Sequence, residues 1–424
     1  MGKRQKWMIT IGCFFSYFLF GAVDNMKGSV LPVLLQDVGF DHSLGGMIIS
    51  SEYTGFFLAT FLAGLIADRF GKKVTLILAG LSLSLGVSGY AASSGFISFI
   101  GFIFLIGLGL GSLELSGSDI LSGIWTVQKG RYLNLLNACY GMGSILAPMA
   151  VGYLLQRAVP WRVVYRYSLL IILPITLYFI IMRYPREDKK RERKKKIDRR
   201  ELLAVITQKR VLLMYTAIFA YVAAEVGMAT WFVGFLQNEK QISAAGSSAY
   251  FAIYFAGMTI GRLLGSLFVD RLGHMKSLLL FTALSGLFLA VGIFGPSSAA
   301  IFLAFTGFGF SIIFPTATTV VSGIPSKNPS ILLGSFFAVG GVGGMVGPYL
   351  VGLVNDLLGM EKGMAMELVF CALLMASLLI NVCGKNTGRC ETHGYLREDA
   401  QRGSLRSDAG GAGGAADPLS GEAL

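Results

Sequence analysis

The chain has 424 residues, of which 54% are hydrophobic and only 14% charged, with a formal net charge of +12 and a mean hydropathy of +0.65. A soluble domain carries roughly 25% charged residues, so there is too little polar surface here to cover a globule in water, and the apolar residues must face lipid. The apolar stretches are continuous rather than alternating and reach the ~20 residues that span a bilayer, which favours helices over a barrel.

Twelve such runs follow one another at 8–34, 45–67, 74–94, 96–120, 132–156, 162–183, 211–236, 245–269, 275–294, 298–321, 330–354 and 364–383. Helix one carries Asp24, Asn25 and Lys27 ahead of Pro32. Helix two holds Glu52, near enough to its end to read as a rim residue, and runs into the polar signature GLIADRFGKK at 64–73. Helix four has Glu114 in GLGLGSLELSGSD, and Asp119 close to its end. Helix five has Asn137 and then GMGSILAPMAVG at 141–152. Helix seven has Glu225 in YVAAEVGMATW, with Trp231 six residues on. Helix eight has Arg262 and leads into GSLFVDRLGHMK at 265–276. Helix ten carries GFGFSIIFPT at 307–316, and helix eleven GGVGGMVGPYLVG at 340–352. Ionisable residues inside membrane helices are costly and are functional candidates by default.

The positive charge is local. Arg183 to Arg200 hold eleven Lys or Arg against four Asp or Glu, more than half of the net charge. This reads as a solvated linker beside anionic headgroups, not a nucleic-acid footprint. Lysine and arginine gather in the even-numbered loops and at the N-terminus, which predicts both termini in the cytoplasm. One odd loop disagrees, with Arg157, Arg162 and Arg166. The expected organisation is a six-helix bundle at 1–183, a basic linker at 184–210, a second six-helix bundle at 211–384 and a disordered tail at 385–424. The five cysteines and three histidines show no paired spacing, so no disulfide framework, metal site or cofactor is expected. Gly71-Lys72 lacks the glycine spacing and the hydroxyl residue of a P-loop. No nucleophile–base pair supports an enzyme.

Six helices, a charged linker and six more, with Asp68 and Asp270 in matching loops, form a duplicated transporter pattern. The loop GLIADRFGKK resembles the signature of the major facilitator superfamily, and the likeness covers residues 7–384. It implies an all-α membrane fold of twelve helices in two pseudo-symmetric six-helix bundles, around a cavity open to each side in turn. It implies a latch between the bundles made by Gly64, Asp68, Arg69, Gly71 and Lys72, echoed at Asp270 and Arg271.

Glu114, Glu225 with Trp231, Gly261-Arg262 and Phe310 through Pro315 resemble the branch of fucose–proton symporters and bacterial hexose transporters. That resemblance implies a secondary active transporter for a small polar solute, a sugar first of all, coupled to protons or sodium, acting as a monomer in the bacterial cytoplasmic membrane. Glu114 would be the main proton carrier and Asp24 its helper. Asn25, Asn137, Glu225 and Trp231 would bind substrate, and Lys27 and Arg262 would form buried ion pairs. Three departures qualify this. Gly28 stands where the branch has a coupling carboxylate, Ser118 where it has an amide and Asn137 where it has a histidine. The alternative reading is a proton-coupled drug or amphipath efflux antiporter of the same fold. It is weakened by Ala147 and Val151 in helix five and by Ile103 in helix four.

Overall fold

The computed structural model describes residues 2–126, 129–182, 184, 207–324 and 329–407, and the side chains of some residues within these helices lie outside the description. The basic segment 185–206 and residues 408–424 fall outside it too. Eleven helical stretches among the described residues are long and apolar enough to cross a membrane. The helix Ala244–Leu272 packs in the same array and completes twelve spans.

The spans run Lys3–Val38, His42–Phe70, Lys72–Ala92, Phe96–Ile124, Lys129–Gln156, then Trp161–Tyr167 with Leu169–Ile181 as the sixth. The second half continues with Lys209–Asn238, Ala244–Leu272, His274–Phe294, a tenth span in pieces, Pro329–Leu358 and Met360–Ser407. The first compact unit ends at Leu378, and the helix Met360–Ser407 continues past that point. The tenth span was expected unbroken and consists of a short 3₁₀ turn followed by Ile301–Phe310 and Ile313–Ser322. Pro315 explains the break: it has no N–H for the carbonyl of Ser311, and its ring crowds that carbonyl. Pro32, Pro148 and Pro348 lie inside helices that continue past them.

The pairing of helices shows the duplication in space. The first packs on the fifth as the seventh packs on the eleventh. The second packs on the fourth as the eighth packs on the tenth, and the third on the fourth as the ninth on the tenth. The halves meet where the second span lies on the eleventh and the fifth on the eighth. Small residues permit the closest approach, as expected where lipid tails supply no hydrophobic drive between helices. A Cβ on Gly21 would run into the Tyr140 carbonyl, and one on Gly143 into the Phe18 carbonyl, so the first and fifth spans interlock reciprocally. Both signature loops turn on a glycine with positive φ: 93° at Gly71 and 83° at Gly273. Each donates its N–H back to the helix it ends, to Ala67 and Val269.

The outer surface is apolar, with Ile97 85% and Leu170 72% exposed. Hydroxyls inside the spans bond to the carbonyl four residues back, as Thr176 does to Ile172 and Ser285 to Phe281, which satisfies them without water. Arg162, the discordant charge of the fifth loop, pairs with Asp37, which also accepts from the Trp161 indole at 3.0 Å. We predict that Gly143→Leu destabilises the protein by about 1–3 kcal/mol through overpacking. Thermal unfolding in detergent checks this, and an unchanged midpoint would contradict the reciprocal interlock.

Candidate functional site

The first span places Asp24 and Lys27 three residues apart, hence on one face of the helix. Lys27 Nζ lies 2.7 Å from Asp24 Oδ1 and 2.9 Å from Glu52 Oε2 of the second span. The contact to Asp24 is a hydrogen bond. The contact to Glu52 is a close ion pair whose alignment leaves Oε2 without a proper hydrogen bond. Tyr140 of the fifth span donates to Asp24 Oδ2 at 3.0 Å. Asn25 donates to the Gly21 carbonyl and to Ser144 Oγ, each at 2.9 Å. The ammonium also lies 4.9 Å from the centre of the Tyr53 ring.

These groups form one wall of a cavity of about 180 Å³ between the two halves. The N-terminal half supplies Asp24, Asn25, Lys27, Glu52 and Tyr140, with Phe20, Tyr53 and Phe56 beside them. The C-terminal half supplies mainly apolar groups, Val222, Val226, Phe255 and Phe314, together with Glu225 and Tyr254. Arg262 Nη2 stands 3.8 Å from Glu225 Oε1. Arg262 lies outside the lining with its side chain 39% exposed, whereas around Lys27 two carboxylates share one cation, leaving one surplus negative charge where an uncompensated charge is expensive. A single proton or monovalent cation neutralises the set.

Of the residues singled out from the sequence, Asp24, Asn25, Lys27 and Glu225 come together at this cavity, with Arg262 behind Glu225. Glu114 does not line it; its backbone carbonyl accepts from Tyr17 at 2.7 Å. Asn137 is exposed and stands apart from the lining. Trp231 is buried at a second cavity, its indole donating to the Pro348 carbonyl at 3.0 Å. Lys72 pairs with Asp119 at 2.8 Å inside the N-terminal half. Arg69 lies by the Phe70 ring and is exposed, as is Arg271. A Cβ at Gly64 would meet nothing within 4 Å. The side chains of Asp68 and Asp270 lie outside the described residues.

Sequence reasoning set Glu52 at the rim. It is instead 2% exposed, because Lys27 draws it inward. Tyr53 and Tyr140 were missed: Tyr53 directly follows Glu52, a spacing that shares no helix face, and Tyr140 lies three residues past Asn137, which is itself off the lining. Glu367 was missed as well: it is fully buried in the twelfth span against Gly227, with no hydrogen-bond partner among the described residues. Among the described residues no group of three His, Cys, Asp or Glu could hold a metal ion.

Two duplicated helical halves around a central polar cavity define a membrane transporter. Residues 13–348 and 222–386 match the Major Facilitator Superfamily, and the chain belongs to that family. It is 24% identical over 405 residues to the hexuronate transporter of Bacillus subtilis, covering 88% of this chain and 95% of that one. It is 22% identical over 387 residues to bypass of stop codon protein 6 of Saccharomyces cerevisiae, covering 83% and 78%. The fold matches the crystal structure of the Escherichia coli fucose:proton symporter with a TM-score of 0.60 at 20% identity, over 88% of this chain and 98% of that one. The protein is thus a multi-pass secondary transporter of small solutes, related to sugar and solute symporters.

We predict that Lys27→Met leaves two buried carboxylates without their cation and destabilises the protein by about 3–5 kcal/mol. Adding Glu52→Gln should recover part of the loss. Thermal midpoints of the single and double variants check this; equal midpoints would contradict the pairing.

Proposed function

We propose that this protein takes up a neutral sugar together with one proton by alternating access. The observation that carries the reading is the pair of carboxylates, Asp24 and Glu52, held on the single ammonium of Lys27 at the cavity between the halves. The surplus negative charge there favours entry of a proton and disfavours an anionic solute. Asn25, Tyr140, Glu225 and Tyr254 offer hydroxyl-matching donors and acceptors, and the surrounding aromatic rings offer faces for a sugar ring. Glu114, on the neighbouring fourth span, is a second proton-exchange group. The likeness to the fold of a fucose:proton symporter supports the neutral-sugar class.

Alternating access requires the halves to rock. In this structure they are tied at the end where the first loop lies: Asp356 of the eleventh span accepts from the backbone N–H groups of His42 and Ser43 at 2.9 and 2.7 Å. A carboxylate from one half thereby caps the second span of the other, a favourable charge–dipole arrangement. We read the opposite end, with the signature loops and the basic linker, as cytoplasmic, and the residues Gly64 to Lys72 with Asp270 and Arg271 as the latch that closes when the first end opens. On this reading both termini lie in the cytoplasm, in a bacterial cytoplasmic membrane. One chain contains the whole path, so a monomer suffices.

Uptake into proteoliposomes tests this. With labelled fucose, D-xylose, D-glucose and D-galactose, at least one sugar should accumulate under an inward proton gradient and not without it. Glu52→Gln should abolish accumulation while counterflow exchange persists, and Glu114→Gln should do the same. No sugar accumulation, with a lipophilic cation expelled instead, would replace this reading with efflux. A second prediction concerns the cap. Asp356→Asn should shift the halves towards the state open at the first loop, read as faster maleimide labelling of a cysteine introduced at Ser50; unchanged labelling would contradict the tie.

A further inference from the structure

A second cavity of about 310 Å³ lies between the first and seventh spans. Gln36, which lines it, sits nine residues past Lys27, about 14 Å along the helix axis at 1.5 Å per residue. The central site and this cavity are therefore separate places along the first span. The volume falls at the lower end of the roughly 300–1,000 Å³ typical of small-molecule sites.

The chemistry of the two cavities differs. The central one is lined by carboxylates and an ammonium. The second has neither: its polar lining is Gln36, His42, Thr230, Gln237 and Asn238, with Trp231 as an aromatic wall. Gln237 Nε2 is buried and donates to nothing among the described residues. A buried amide left in that state costs stability, and a ligand hydroxyl at this cavity would satisfy it. The Thr230 hydroxyl donates to Val226, so its oxygen retains accepting capacity. The Trp231 N–H is committed to Pro348, which fixes the ring and leaves its surface for apolar contact. Amide groups that both donate and accept, beside a fixed indole, suit a ligand rich in hydroxyls, each of which also donates and accepts. No Asp, Glu, Lys or Arg lines the cavity to pair with a charged ligand.

The cavity also touches the tie between the halves. The His42 ring stands 5.5 Å from the Trp231 ring, and its Nδ1 lies 2.8 Å from Asp356 Oδ1. A solute resting against His42 and Trp231 is in contact with the group that must let go before the path opens.

We propose that this second cavity is an outer subsite for a neutral polyhydroxy solute, which binds there before it passes to the charged central site. The proposal rests on the sugar-uptake reading and adds to it a place, a chemistry and an order of events. The test is equilibrium binding of labelled fucose and D-glucose to the full-length protein in lipid nanodiscs, together with uptake by proteoliposomes. Wild type should bind two molecules of the transported sugar. Gln36→Leu with Gln237→Leu should remove one, and should raise the apparent KM for uptake roughly three- to tenfold, the effect of about one lost hydrogen bond, with Vmax retained. Glu225→Gln should weaken the other. Asn238→Leu, at an exposed position, gives the same KM direction should the double variant fold poorly. Charged D-glucuronate should not compete for the outer site. One bound sugar per protein, with uptake indifferent to Gln36, Gln237 and Asn238, would overturn this inference and leave sugar uptake standing. If no sugar binds or is taken up by wild type, both readings fall together.

Discussion

Lys27 is the constraint on which the rest depends. Its ammonium is buried in the middle of a membrane span, where a lone charge is expensive by any scale. It persists because Asp24 and Glu52 reach it from two helices, and because Tyr140 and Asn25 tie Asp24's side of the cluster to the fifth span. Two carboxylates on one cation overcompensate it. The packing of the first, second and fifth spans therefore stores a site that is one proton short of neutral. A proton completes it, and a transport cycle can be built on filling and emptying that place.

The two halves share an architecture and divide the chemistry. Helix pairings repeat from one half to the other, and both signature loops turn on a positive-φ glycine. The charges at the cavity do not repeat. The N-terminal half carries the Asp24–Lys27–Glu52 cluster, while the C-terminal half offers mainly apolar walls together with Glu225, which Arg262 approaches from outside the lining. In the proposed cycle, rocking of these similar bodies would carry a proton site on one side past a solute-facing wall on the other. The Asp356 cap on the second span joins the halves through backbone N–H groups, so its strength depends on geometry and is lost once the halves tilt apart.

The duplication was legible in the sequence because length and hydropathy report membrane spans directly, and because the loops at 64–73 and 265–276 read alike. The cluster was legible only in part. Spacing on one helix brings Asp24 to Lys27, and the structure agrees. Glu52 was misplaced because its role depends on which face of the second span meets the first, and continuous apolar sequence carries no such phase. Trp231 and Asn137 were grouped with the central site by resemblance. The structure puts the first at the second cavity and leaves the second off the central wall, since helix rotation, not residue type, decides what a side chain meets. Glu367 gave no signal beyond being an acid in an apolar run. The break at Ser311 could have been read from Pro315.

The most direct measurement follows protons rather than solute. Sugar is added outside weakly buffered proteoliposomes, without an imposed gradient, and external pH is recorded. The account predicts alkalinisation of one proton per sugar taken up by wild type and none by Glu52→Gln. Sugar entry with no pH change in wild type, or undiminished proton uptake in the variant, would contradict the claim that the cluster around Lys27 carries the coupling proton.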